Sequence, residues 1–264
     1  MLHVPFAYKY AVIAAMLCQV NFYAPRLRLP IESPVKEQDI RFLAVADPVI
    51  TAKVRSYGGR IQVGSYSFGF TPRGHVIRML DKYGYQSLGV QMDEHESSSS
   101  GLERASLMKY IVNTNDVYQM ATNWLMALDV DIKRLESVET PRSNRYPLFH
   151  SKRGWVPSPL LTVEWENPKL EGHDPDAVMV EISAVTGDLL QLRDGRGLFD
   201  TRTGAIVKNI EALLAISDED FLKFNEQQRR GLVERYVAPP DSVKDIPFSL
   251  VDKLFETSQQ RKKE

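Results

Sequence analysis

Between positions 142 and 155, cations and aromatic rings interleave: Arg142, Arg145, Tyr146, Phe149, His150, Lys152, Arg153 and Trp155 share one short stretch. Guanidinium and ammonium groups pair with anions while flat rings stack. Such a stretch can grip an anionic sugar, a peptide carboxylate or a nucleic-acid strand. The competing reading is a proline-braced loop whose rings pack on a sheet and whose cations stay hydrated. Arg142, Arg145, Tyr146, Lys152, Arg153 and Trp155 are the candidate binding residues.

Other chemistry-bearing residues fall short of a motif. His95-Glu96 begins like the zinc helix HExxH, but Ser99 stands where the second histidine is needed to face the same ion. Asp93, Glu94, His95 and Glu96, with His173, Asp174 and Asp176, could in principle gather round a divalent cation, yet their spacing is also that of solvated acidic turns. Asp129 and Asp131 are two apart on a helical pattern and do not face each other, so Asp129 reads as a bend rather than a ligand. No G-x-S-x-G elbow occurs, and Gly64-Ser65 reads as an interruption in a strand. Gly195-Arg196-Gly197 lacks both a further glycine and a Walker lysine. The sequence therefore predicts no catalytic residues, no metal site and no cofactor. The expected function is a non-enzymatic binding or regulatory one. The alternatives are a hydrolytic enzyme whose site assembles only in three dimensions, and a structural envelope component tethered to a membrane.

Composition narrows the partners. The 264 residues are 43% hydrophobic and 25% charged, which is ordinary for a globular chain. Lys and Arg number 33 against 34 Asp and Glu. A chain so balanced has no global field to attract a polyanion, so no nucleic-acid partner is expected; the expected protein or cell-envelope partner rests instead on the export-like segment and the resemblance described below. Ala11–Val20 (AVIAAMLCQV) has the length of a signal-peptide apolar region, with Lys9 as the preceding cation. It is short for a confident span. Residues 1–24 are accordingly expected to be an export signal or anchor, with 11–20 a possible tether, and the protein to be exported, periplasmic, envelope-associated or secreted. The competing assignment for this stretch is a buried core helix. Cys18 is the only cysteine, and Leu17 before it is a poor residue for lipidation.

The remaining elements follow from periodicity. Residues 25–37, with three prolines, read as a linker, and 39–55 as a short helix. Gly59–Phe70 reads as a strand with a bulge near Gly64-Ser65, followed by a turn at Thr71–Gly74 and a partner strand over 75–80. Over 113–136, Val117, Ala121, Leu125 and Leu128 recur at helical spacing and predict one helix with a single apolar stripe. Residues 138–159 read as a long loop. Runs at 160–167, 177–183 and 188–194 read as strands, the last two joined by a Thr186-Gly187 turn. Three helices follow, the middle one capped by Ser217 or Asp218. The expected segments are 1–24, the 25–37 linker, a β-rich region over 38–112, a helix-plus-sheet unit over 113–194, helices over 195–258 and a tail over 259–264.

VYQMATNWLMALDV (117–130) and VEISAVTGDLL (180–190) together resemble the PepSY-like unit, a small cystatin-like module of exported bacterial proteins. In that likeness Ala121 and Leu125 lie on the buried face of the helix, and Thr186 and Gly187 close a hairpin of alternating strands. The longer pattern, NTNDVYQMATNWLMALDVDIKRLE (113–136) followed by VEW (163–165) and ALLAISDEDF (212–221), is also similar to exported proteins of the Verrucomicrobia type. The resemblance covers residues 115–193. It implies an α+β fold, a helix packed on an antiparallel sheet, and binding or inhibitory roles near secreted enzymes and the cell wall. It carries no catalytic residues.

Overall fold

In a computed structural model the chain is described over residues 3–48, 58–88, 107–143, 148–151, 154–170, 176–197, 206–238 and 246–260. The fold is α+β, as the sequence predicts. Its main sheet is antiparallel with eight strands in the spatial order β1 (Ile40–Val45), β2 (Gly59–Val63), β3 (Tyr66–Phe70), β4 (Val76–Asp81), β10 (Leu189–Asp194), β9 (Val178–Ser183), β8 (Leu160–Glu166) and β5 (Thr140–Ser143). The chain divides into two compact units: Met1–Gly64, Phe68–Ile77 and Phe199–Glu264 form the first, and Ser65–Ser67 with Arg78–Leu198 the second.

Unit 1 is built around α1 (Phe6–Arg26). Sixteen of its 21 residues are buried, from Ala7 to Val20 without a gap and then Tyr23 and Ala24. Its polar side chains are held rather than hydrated. The Lys9 ammonium donates to the Ser258 carbonyl at 3.1 Å and the Tyr10 hydroxyl to Asp252 at 3.1 Å. The Tyr8 hydroxyl donates to the Pro72 carbonyl, and the Phe6 amide to Asp218. Tyr10, Phe221 and Phe255 form an aromatic cluster with centroids 5.4–5.7 Å apart. The stretch that reads as an export signal or anchor is thus the packed centre of unit 1. Among the described residues no helix is long and apolar enough to cross a membrane.

The expected linker is also packed. Leu27, Leu29 and Val35 are buried, and the Val35 amide donates to Asn21. Where the sequence reads as a short helix there is a 3-10 turn (Glu37–Asp39) and then β1 (Ile40–Val45). Pairing with β2 (Gly59–Val63) overrides the weak local preference. Gly64-Ser65 is the two-residue turn of a hairpin to β3 (Tyr66–Phe70) rather than a bulge, with Gly64 at φ 57°. The Thr71–Gly74 turn forms as expected and leads into β4 (Val76–Asp81). At the other end of the chain lie β11 (Ile206–Val207), α5 (Ile210–Leu214), α6 (Asp218–Leu222), α7 (Glu226–Tyr236), β12 (Val237–Ala238) and α8 (Phe248–Gln260). The middle helix of the sequence reading is therefore two. Ser217 caps α6, and a fresh N-cap at Asn225, in a capping box with Gln228, starts α7.

Unit 2 contains α2 (Lys82–Ser87), α3 (Val117–Ala127), α4 (Ile132–Glu136), β5 (Thr140–Ser143), β6 (Leu148–Ser151), β7 (Gly154–Pro157), β8 (Leu160–Glu166), β9 (Val178–Ser183) and β10 (Leu189–Asp194). The single helix expected over 113–136 is broken at Asp129, which sits in the left-handed region at φ 61°. Asp131 restarts it by accepting the Arg134 amide. Val117, Ala121, Leu125 and Leu128 are all buried, and α3 packs on β8 and β9 as its stripe predicts. On that side Glu136 accepts from both the Trp165 indole (3.0 Å) and the Tyr118 hydroxyl (2.5 Å), tying α4 to the sheet. The hydrogen bond to Glu136, with some burial, pushes the Tyr118 hydroxyl up to about 12. The expected loop over 138–159 contains three strands: β5 pairs with β8, and β6 with β7.

Candidate functional site: a charged row on the sheet of unit 2

Strand alternation gives the sheet of unit 2 two unlike faces. Val180 and Ile182 of β9, with Val163 and Trp165 of β8, are buried on the α3 side. The intervening residues point the other way, and they include the carboxyl groups Glu164, Glu166 and Glu181. Register places Arg78 of β4 opposite Arg193 of β10, Arg193 opposite Met179 of β9, Met179 opposite Glu164 of β8, and Glu164 opposite Arg142 of β5. The next row carries Leu80, Gln191, Glu181 and Thr162.

These side chains pair in three neighbouring groups. The Arg78 Nη2 donates to the Gln191 Oε1 at 3.0 Å, and the Tyr85 hydroxyl donates to the Glu181 carboxylate and lies 3.3 Å from the same Gln191 oxygen. Tyr85 is delivered by α2, whose first turn is capped by Asp81 accepting the Tyr83 amide. Gly84 allows that helix to lie against β10, since a Cβ there would come within 2.5 Å of Leu190. Arg193 lies 3.8 Å from Glu164 through Nη2, and Arg142 pairs with Glu166 at 3.1 Å. Met179, Gln191, Glu164 and Glu166 are buried, while Arg78, Arg193, Glu181 and Thr162 are partly exposed.

Electrostatics mark the same spot. Burial raises the Glu181 carboxyl above its usual range, and Glu164 adds to this. The Tyr85 hydrogen bond and the charges of Arg78 and Arg193 oppose it. Burial, then the Glu181 carboxylate, pushes the Tyr85 hydroxyl well above its ordinary value. Arg78 and Arg193 face each other as like charges, an arrangement that destabilises a bare sheet. The Nε of Arg78 and both Nε and Nη2 of Arg193 are buried with no hydrogen-bond partner. On Arg193 these two nitrogens form one edge of the guanidinium, the edge that grips a carboxylate with two parallel bonds.

Of the candidate binding residues from sequence, Arg145, Tyr146, Lys152 and Arg153 lie outside the described residues. Arg142 is on β5, ion-paired rather than simply hydrated, at the end of the charged row. Trp155 is on β7, 69% exposed. The structure therefore brings one of the six, Arg142, into this row. Asp93 to Glu96, His173 and Asp174 also lie outside the described residues, and Asp176 approaches Arg196 at 3.9 Å. Among the described residues no three His, Cys, Asp or Glu side chains are placed to hold a metal ion. Cys18 is buried within α1. Sequence reasoning missed Arg78, Tyr85, Glu181, Gln191 and Arg193. The available signal was the polar half of VEISAVTGDLLQLRD, whose alternation reads as a solvated face.

No family model, no curated protein and no solved structure matches this chain.

Proposed function

We propose that this chain is a non-enzymatic binding protein whose ligand or partner is held on the charged face of the unit 2 sheet. The observation that carries the reading is the facing pair Arg78 and Arg193, with three buried guanidinium nitrogens lacking an acceptor. Donors left without partners inside a fold cost stability, and a bound group that accepts from them offsets that cost. The PepSY-like resemblance of residues 115–193 supports a binding or inhibitory role for this unit. In this reading residues 6–26 remain with the working protein wherever it resides, because they are the centre of unit 1.

The test is recovery of the C-terminally tagged protein from its own host, wild type beside the Arg78→Gln/Arg193→Gln variant, followed by native mass spectrometry. The expected result is a component bound to the wild type and lost from the folded variant. An identical bound set in both overturns the proposal.

A further inference from the structure

We propose that Arg78 and Arg193 receive the carboxylate of a small organic acid, with the Nε/Nη2 edge of Arg193 as the bidentate grip and Arg78 Nε as an added donor. This rests on the reading of the unit 2 face as the binding surface, and it names the chemistry of what binds there.

Geometry supports a planar, two-oxygen anion. Arg193 offers two adjacent nitrogens without hydrogen-bond partners, and Glu164, at 3.8 Å from Nη2, is outside hydrogen-bonding range. Arg78 spends Nη2 on Gln191 and keeps Nε. With its oxygen accepting from Arg78, Gln191 retains an amide NH2 as a further donor.

Charge selects a monoanion. The groups facing the site are Arg78 from β4, Arg193 from β10, Glu164 from β8, Glu181 from β9 and the Tyr85 hydroxyl from α2. Two guanidinium groups and two carboxyl groups meet here, and the Nε/Nη2 edge of Arg193 is the donor pair left without a hydrogen-bond acceptor. A phosphate dianion would carry two charges into this partly closed place where a carboxylate carries one. Size follows from exposure. Arg78 and Arg193 are partly exposed while the three donor nitrogens are themselves closed to solvent, so the group that pairs with them must be small.

The test titrates sodium acetate, sodium benzoate and sodium phosphate into the full chain at constant ionic strength, followed by amide NMR shifts. Wild type is compared with Arg78→Gln, Arg193→Lys and the exposed control Arg230→Gln, each checked for folding by circular dichroism. Arg193→Lys keeps the charge and removes the fork, so it separates bidentate recognition from simple attraction. The expected outcome is saturable binding of at least one carboxylate, with phosphate at least ten-fold weaker. Arg78→Gln and Arg193→Lys should each weaken it at least ten-fold, and the control should leave it unchanged. Phosphate binding as tight as carboxylate, with the same dependence on the two arginines, overturns the carboxylate assignment and leaves the binding face standing. Carboxylate binding indifferent to both arginines, or no saturable binding, also overturns it. If the double variant of the preceding section still sheds its cellular ligand, the binding face survives that failure; if it does not, both readings fall together.

Discussion

Glu181 accepts from the Tyr85 hydroxyl, and its protonation couples to folding. A carboxyl whose value is raised on folding binds its proton more tightly in the folded state, so its stabilising share is complete below the ordinary value of 4.5. That share is lost as pH climbs through the raised folded value. The stability gap between wild type and Glu181→Gln should therefore shift in favour of the variant between pH 4 and pH 8. Parallel chemical denaturation series would show this, and a pH-independent gap would contradict it. Tyr85→Phe removes the hydroxyl that donates to Glu181 and should cost about 1–3 kcal/mol, the range for losing a hydrogen bond to a charged group. Little of this was legible beforehand. Glu181, Gln191 and Arg193 occupy the polar positions of alternating strands, and alternation cannot say whether that face meets water. Arg78 meets Gln191 across 113 residues of sequence, a pairing set by sheet register and invisible to local pattern.

The two units share a device at the scale of the element. In each, a helix precedes the antiparallel strands: α1 before β1 to β3, and α3 before β5 and β8 to β10. Both helices end in the same Schellman hydrogen-bond pattern. After α1 the Leu29 amide reaches back to the Ala24 carbonyl and the Arg28 amide to Pro25. After α3 the Val130 amide reaches Leu125 and the Asp129 amide Met126. In both, the left-handed position is filled by a residue other than glycine, Arg28 at φ 52° and Asp129 at φ 61°. Arg28→Gly should consequently stabilise the protein by about 1 kcal/mol, as read by thermal melting, because glycine carries no Cβ penalty there. Leu125→Asp should cost several kcal/mol by placing an unpaired charge on the fully buried stripe of α3. Unchanged melting would refute that packing. The stripe and the bend at Asp129 could be read from spacing and residue type. Strand β1 could not, since its extended form is imposed by β2.

At the scale of the whole molecule, α1 carries the composition of a removable segment and the surroundings of a core. Lys9 and Gln19 interrupt its apolar run, and each is buried. The mature protein should accordingly retain residues 6–26, which intact-mass measurement of endogenous material would show directly; a mass beginning after residue 24 would contradict the fold of unit 1. The same packing has a consequence in time. Lys9 meets Ser258 across 249 residues, and the helices that cover α1 are the last described elements of the chain. Ribosomes deliver about 5–20 residues per second, so α1 waits on the order of tens of seconds for its cover, while every strand of unit 2 is already made. During that interval an apolar helix of 21 residues is exposed, and long-range closure is the slow kind. Synthesis is thus the period in which this protein is most open to capture by chaperones, membranes or its own kind, and translation speed becomes a determinant of its yield.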